Sequence, residues 1–304
     1  MYRTGRWLLL VAWGCVAGCA PGDDDGTVLP DARDGFADDA SDAPPDVEPE
    51  ATDRGEVTDC PPDRPPAEVA DDAVPEDAAA DESSSTVEPP LGGSSGGGGG
   101  SSPVSGSPHT SGGTTYRLIV PSTYSPSSPA PFLVVYSGTE GDVMMATNLQ
   151  SVAAYAGLSD FIIAVLDGVT YNGNGDAALP VIDDLRAQYN IDNDRTYLLS
   201  ESAGTTAGLE LGFQLRPSYF AAFWVNDINA SGTPSRTAAE LGFAPWGNAG
   251  PGGDLADATA VVAAMRTAGY RLPSDAPYSG SGSGTHGSPD QFIAACQFFP
   301  DKSR

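Results

Sequence analysis

The chain has 304 residues, with 41 Asp/Glu against 14 Lys/Arg, a formal net charge of −27, 37 glycines and 27 prolines. So acidic a surface excludes a nucleic-acid partner, because protein and phosphate repel each other. Residues 20–113 hold 23 Asp/Glu, three Arg (Arg33, Arg54, Arg64) and one aromatic (Phe36), while 114–304 hold 21 of the 25 aromatics, so only the second stretch can bury a core, and its length suits one domain.

The amino terminus reads as an export signal. Arg3 and Arg6 precede the apolar run Trp7–Trp13, which is too short for a permanent membrane span. Val16-Ala17-Gly18-Cys19 then resembles the lipobox of bacterial lipoproteins. That resemblance implies a signal peptide over 1–19, acylation of Cys19, and attachment to a bacterial membrane on its periplasmic or outer side. Several acyl chains, at about 0.8 kcal/mol per buried CH₂, make such an anchor stable. Cys15 is a poorer candidate, because bulky Trp13 stands where a small residue is wanted.

Residues 20–113 are rich in Asp, Ala, Pro and Glu up to Pro90, and then continue as LGGSSGGGGGSSPVSGS. High charge with little apolar surface does not offset ordering entropy, so this stretch is expected to be a disordered tether, spanning roughly 50–60 Å as a coil. Cys60 falls in the tether and Cys296 in the domain. Export permits a disulfide between them; a buried free Cys296 is the alternative.

From 114 onward strands and helices alternate. Strands are predicted over Tyr116–Val120, Phe132–Tyr136, Phe161–Leu166, Thr196–Leu199 and Phe220–Val225. Helices are predicted over Val143–Ala156, Ala177–Tyr189, Ala203–Leu215, Asp254–Ala268 (with Asp254 as N-cap) and Gln291–Phe298. Repeated strand–loop–helix units with continuously apolar strands predict a three-layer α/β domain around a mostly parallel sheet.

The segment Ser200-Glu201-Ser202-Ala203-Gly204 sits where a strand runs directly into a helix. So sharp a turn needs small residues two before and two after its tip, and Ser200 and Gly204 comply. The tip residue, Ser202, is pushed into solvent at the carboxyl edge of the sheet as a nucleophile, with the Ala203 N–H beside it to hold an oxyanion. A Ser-rich turn with Ser202 as an ordinary helix cap is the plain alternative. The loop Ser137-Gly138-Thr139-Glu140-Gly141 follows the Phe132–Tyr136 strand and offers a second oxyanion donor, the Thr139 N–H. Two histidines are present; His109 falls in the tether, which leaves His286 as the domain's candidate base.

Residues 114–304 resemble the α/β-hydrolase superfamily, and within it the branch of polyhydroxybutyrate depolymerases and feruloyl-esterase-like proteins. The resemblance rests on D-x-x-R-x-Y-x-x-small-x-S-x-G over Asp192–Gly204, on RPSYFAAF after it, on WGNAGPGGDLADATAVVAAMRTAGY, and on the late Thr285-His286-Gly287. Three positions depart from the branch. Ser137 replaces a His in the oxyanion loop, Ser200 replaces a Gly, and Gly250 stands where the branch carries its catalytic Asp. Losing that acid removes the partner that orients the imidazole, at about four orders of magnitude in turnover. Asp227, directly after the Phe220–Val225 strand, is the first substitute; Asp254 is the second; a site with no functional acid is the third reading.

The resemblance implies a serine hydrolase of polyester, feruloyl or acetyl esters. Ser202 is the nucleophile, His286 the base and Asp227 the acid. Ala203 and Thr139 form the oxyanion hole, and Tyr171 borders the substrate pocket. No cofactor or metal is implied, since no His/Cys/Asp cluster has ligand spacing. The partners expected are a small or polymeric ester and the membrane through Cys19, and the sequence sets no oligomeric state. A catalytically lapsed fold serving as a surface binding module is the alternative.

Overall fold

A computed structural model describes residues 88–304. The signal peptide, Cys19, Cys60 and the expected tether up to residue 87 lie outside the described residues. Seven strands form one sheet: β1 (Val104–Ser111), β2 (Thr114–Val120), β3 (Ala130–Tyr136), β4 (Ile162–Leu166), β5 (Ile191–Glu201), β6 (Ala222–Asn226) and β7 (Trp246–Ala249). Their order is β1-β2-β4-β3-β5-β6-β7, antiparallel at β1/β2 and β2/β4 and parallel from β4 onward. The helices are α1 (Gly141–Ala156), α2 (Ala178–Gln188), α3 (Thr205–Glu210), α4 (Ala238–Leu241), α5 (Leu255–Thr267) and α6 (Pro289–Phe298).

Strands β3, β4 and β6 are buried at every position, and their side chains alternate between two cores. Phe132, Val134, Tyr136, Ala164, Phe223 and Val225 pack against α2, α3 and α5, whereas Leu133, Val135, Ile163 and Trp224 pack against α1 and α6. Strands covered on both faces read as unbroken apolar runs, which is why they were legible. Each fully buried Val, Leu, Ile or Phe contributes about 1.5–3 kcal/mol. The result is the expected three-layer α/β architecture around a mostly parallel sheet, with the parallel strands all delivering their carboxyl ends to one edge.

The domain starts earlier than the expected boundary at 114. Strand β1 occupies 104–111 and includes His109, and Ser94 bridges Asp192 ahead of it. The Ser95 N–H donates to Ile191 O at 2.8 Å, and a Cβ on Gly97 would lie 2.5 Å from Tyr189 O. Gly97 and Gly100 allow the backbone to lie flat against Tyr189, a use of Gly that composition reads as flexibility. As an edge strand, β1 needs no apolar pattern. Strand β7 and helix α4 were likewise not foreseen; they are four residues each. Cys296 is buried and has no disulfide partner among the described residues.

Candidate active site

Strand β5 ends at Glu201, and a 3₁₀ turn over Ser202–Gly204 leads straight into α3. The turn is tight because glycine stands where it must. A Cβ on Gly204 would lie 2.6 Å from Ser137 O and 2.7 Å from Tyr136 Cβ. Ser200 tucks its side chain against Gly208, and its Oγ has no hydrogen-bond partner there. Ser202 takes φ = +47°, and so does Asp227; they are the two non-glycine residues with positive φ among the described residues. Such backbone costs about 1–3 kcal/mol per residue and persists where surrounding structure over-determines it, often at functional sites. Ser202 is only 7% exposed, less than the expected projection into solvent, because two loops close over it.

One of those loops carries His286, whose Nε2 lies 2.9 Å from Ser202 Oγ. The loop is tied by its own turns, Ser283 N–H to Gly280 O at 3.2 Å and Thr285 N–H to Gly282 O at 3.0 Å, and by Gly253 N–H to Ser283 O at 3.3 Å. The other loop is Ser137–Glu140. A Cβ on Gly138 would lie 3.3 Å from Ser202 Cβ, so this loop, of which Thr139 is the next residue, is pressed against Ser202. Ser137, where the branch has His, is fully buried, and its Oγ accepts the Gly168 N–H at 3.0 Å. Ala203 is the first residue after the turn's tip, and leading amides of a helix have no partner within it.

Asp227 directly follows β6 and is 1% exposed. Its carboxylate accepts the Gly287 N–H, from the residue next to His286, and the side-chain N–H of Gln291 on α6. The structure therefore brings Asp227 to the His286 loop, with its hydrogen bonds going to the backbone beside the imidazole. Asp254 is placed differently. Its carboxylate caps α5 by accepting the Asp257 N–H at 3.1 Å. The hydroxyl of Tyr171 accepts the Thr115 N–H at 2.8 Å, at the start of β2. Tyr171 does not line the nearby cleft of about 300 Å³, to which its loop contributes Gly173 and whose other walls include Thr206, Leu209 and Phe213 after the Ser202 turn, and Gly232.

Three carboxyl groups at the site carry raised pKa values. Glu201 is fully enclosed, and burial is the main cause, with the charges of Glu140 and Asp227 adding to it and a bond from Asn226 Nδ2 at 3.4 Å opposing it. Glu140 is raised by burial, partly offset by the Gly138 N–H it accepts at 2.9 Å, with Asp227 and Asp167 pushing it further up. Asp227 is raised by burial, but the Gly287 amide, the nearby His286 and Gln291 all favour its charged form. Asp227 is thus the best supported as an anion, and Glu201 the least. Glu140, Glu201 and Gln291 were not singled out from the sequence. Glu201, in the middle of Ser-x-Ser at a buried strand end, offered a signal; Gln291, one polar residue in an amphipathic helix, offered none.

No protein-family model matches the chain, and no curated protein does. Solved structures to which the chain is similar include a thermostable esterase (17% identity, TM-score 0.45), with 62% of this chain and 59% of that chain covered. They also include a feruloyl esterase module from Clostridium thermocellum, complexed with sinapinate (12% identity, TM-score 0.40, 53% and 71% covered). A third is a ferulic acid esterase from Anaeromyces mucronatus, in complex with ferulic acid (12% identity, TM-score 0.39, 62% and 85% covered).

Proposed function

We propose that the protein is a serine hydrolase of carboxylic esters, exported and held to a bacterial membrane through Cys19. The observation that carries the hydrolytic reading is the 2.9 Å approach of His286 Nε2 to Ser202 Oγ at a strand-to-helix turn. Ser202 Oγ attacks the ester carbonyl carbon while its proton passes to His286 Nε2. The carbonyl oxygen, now an anion, is held by the Ala203 and Thr139 amides. His286 then protonates the departing alcohol, and water repeats the sequence on the acyl-Ser202. Asp227, buried next to His286, balances the imidazolium charge and holds the loop that carries it. The ester is of the polyester, feruloyl or acetyl kind; the 300 Å³ cleft beside α3 is lined by Thr206, Leu209 and Phe213 and by none of Ser202, Thr139 or His286.

A second reading, a lapsed hydrolase fold that binds at the cell surface, draws on the Asp227 hydrogen bonds, which go to Gly287 and Gln291. Labelling with a fluorophosphonate probe and hydrolysis of short-chain p-nitrophenyl esters separate the two. The hydrolase reading expects both in the wild type and neither in Ser202→Ala. A wild type that neither labels nor turns over refutes it.

A further inference from the structure

The resemblance places the catalytic acid at the end of β7, and Gly250 stands there. The structure shows why that place holds no side chain. A Cβ on Gly250 would lie 2.7 Å from Asn226 Oδ1 and 2.8 Å from Gln291 Cδ, so two amide side chains already fill the space. Gln291 reaches it from α6, the helix that follows the His286 loop, and is fully buried. The orientation of its amide is dictated by its neighbours: Oε1 accepts the Gly252 N–H at 3.2 Å, and the side-chain N–H faces the Asp227 carboxylate. The backbone at the end of β7 completes the clasp. Gly250 N–H donates to Val225 O at 2.7 Å, and Ile228 N–H donates to Gly250 O at 3.2 Å, one bond on each side of Asp227.

We propose that Gln291 is the positioning residue for Asp227: it occupies the space vacated at the end of β7 and turns toward His286 a carboxylate supplied by the neighbouring strand β6. Shifting the acid by one strand changes the direction from which it reaches the imidazole. Asp227 takes positive φ, and a donor on each carboxylate oxygen, from Gly287 and Gln291, holds it in place. Burial raises the pKa of Asp227, and Gln291 favours its charged form against that, together with the Gly287 amide and His286, while the Asp227 charge in turn pushes up Glu140 on the Ser137–Glu140 loop and Glu201 on β5. The inference rests on Ser202, His286 and Asp227 forming a hydrolytic site.

Gln291→Leu and Gln291→Met both fill the space without a donor, and methionine conserves volume and adapts its shape, so at least one is expected to fold. In either, kcat falls 10-fold or more with KM within about two-fold, and the acid limb of the pH–rate profile moves upward. In an Asp227→Asn background the same substitution adds less than two-fold, because its partner is already neutral. The Asp227 carboxyl, followed by ¹³C NMR in Ser202→Ala protein, titrates at higher pH once Gln291 is replaced; this readout needs no turnover. A folded Gln291 variant with wild-type kcat and an unmoved Asp227 titration, or a loss that is fully additive with Asp227→Asn, overturns the proposal. Turnover that survives Ser202→Ala defeats the hydrolytic reading instead.

Discussion

Gly204 is where the Ser202 turn meets the end of β3, and replacing it by alanine tests how that contact serves the proposed site. Its φ of −84° is ordinary, so backbone freedom is not what it supplies. A Cβ there would lie 2.6 Å from Ser137 O, 2.7 Å from Tyr136 Cβ and 3.0 Å from Tyr136 C. Non-bonded carbons settle at about 3.5–4.0 Å, so Gly204→Ala has to part the turn from β3 by about 1 Å. Both sides are buried, and neither is the tip of a flexible side chain that could swing away. Overpacking of this kind costs about 1–3 kcal/mol, and in a domain of this size each kcal/mol lowers Tm by about 2–4 °C. The effect on chemistry is larger. The Ser137–Glu140 loop continues β3 and Ser202 belongs to the turn, so the same displacement opens the oxyanion site, and a 1 Å misplacement costs about 10² in rate. Hydrolysis of a p-nitrophenyl ester should therefore drop about 100-fold in kcat, with a Tm several degrees lower and slower fluorophosphonate labelling of Ser202. An alanine variant that melts and turns over like the wild type would show that turn and strand are not pressed together.

Asp227→Asn should lower kcat by about 10⁴, while Asp254→Ala leaves turnover intact and costs about 0.5–2 kcal/mol of stability through the lost cap; steady-state kinetics and melting curves check both, and the reverse pattern would move the acid to 254. Glu201 gives a pH test. Its folded-state pKa is raised, so the folded protein binds the proton more tightly than the unfolded chain does, and stability is lost as pH rises from the ordinary carboxylate range through the folded value. Glu201→Gln keeps the shape and an acceptor for Asn226, and its Tm should fall less than that of the wild type between pH 5 and pH 8. Parallel Tm profiles would mean that Glu201 holds no such proton.

The parts of the site that were legible beforehand share one property: local geometry leaves them little choice. A strand that runs into a helix within three residues must turn sharply, which singles out Ser202 at the tip and requires Gly204 after it. The scarcity of histidine made His286 the candidate base. Asp227 was readable because it directly follows an apolar strand whose direction was already set. Asp254 was readable twice, as a helix cap and as an acid, and only its bond to the Asp257 amide separates the two roles.

What the sequence by itself determined is the layered α/β architecture and the tight turn at Ser202, since apolar runs of strand length and the small residues of a tight turn express constraints that act within a few residues. The tertiary structure alone decided the start of the domain, because β1 and the glycines against Tyr189 are ordered by what they pair with and not by apolar content of their own. It alone decided the surroundings of the acid as well. Gln291 is 64 residues from Asp227 along the chain, and Glu140 and Glu201 come to the same place from the loop after β3 and from the end of β5. Their charge states depend on burial and on one another, and those terms exist only once distant segments share an enclosed space.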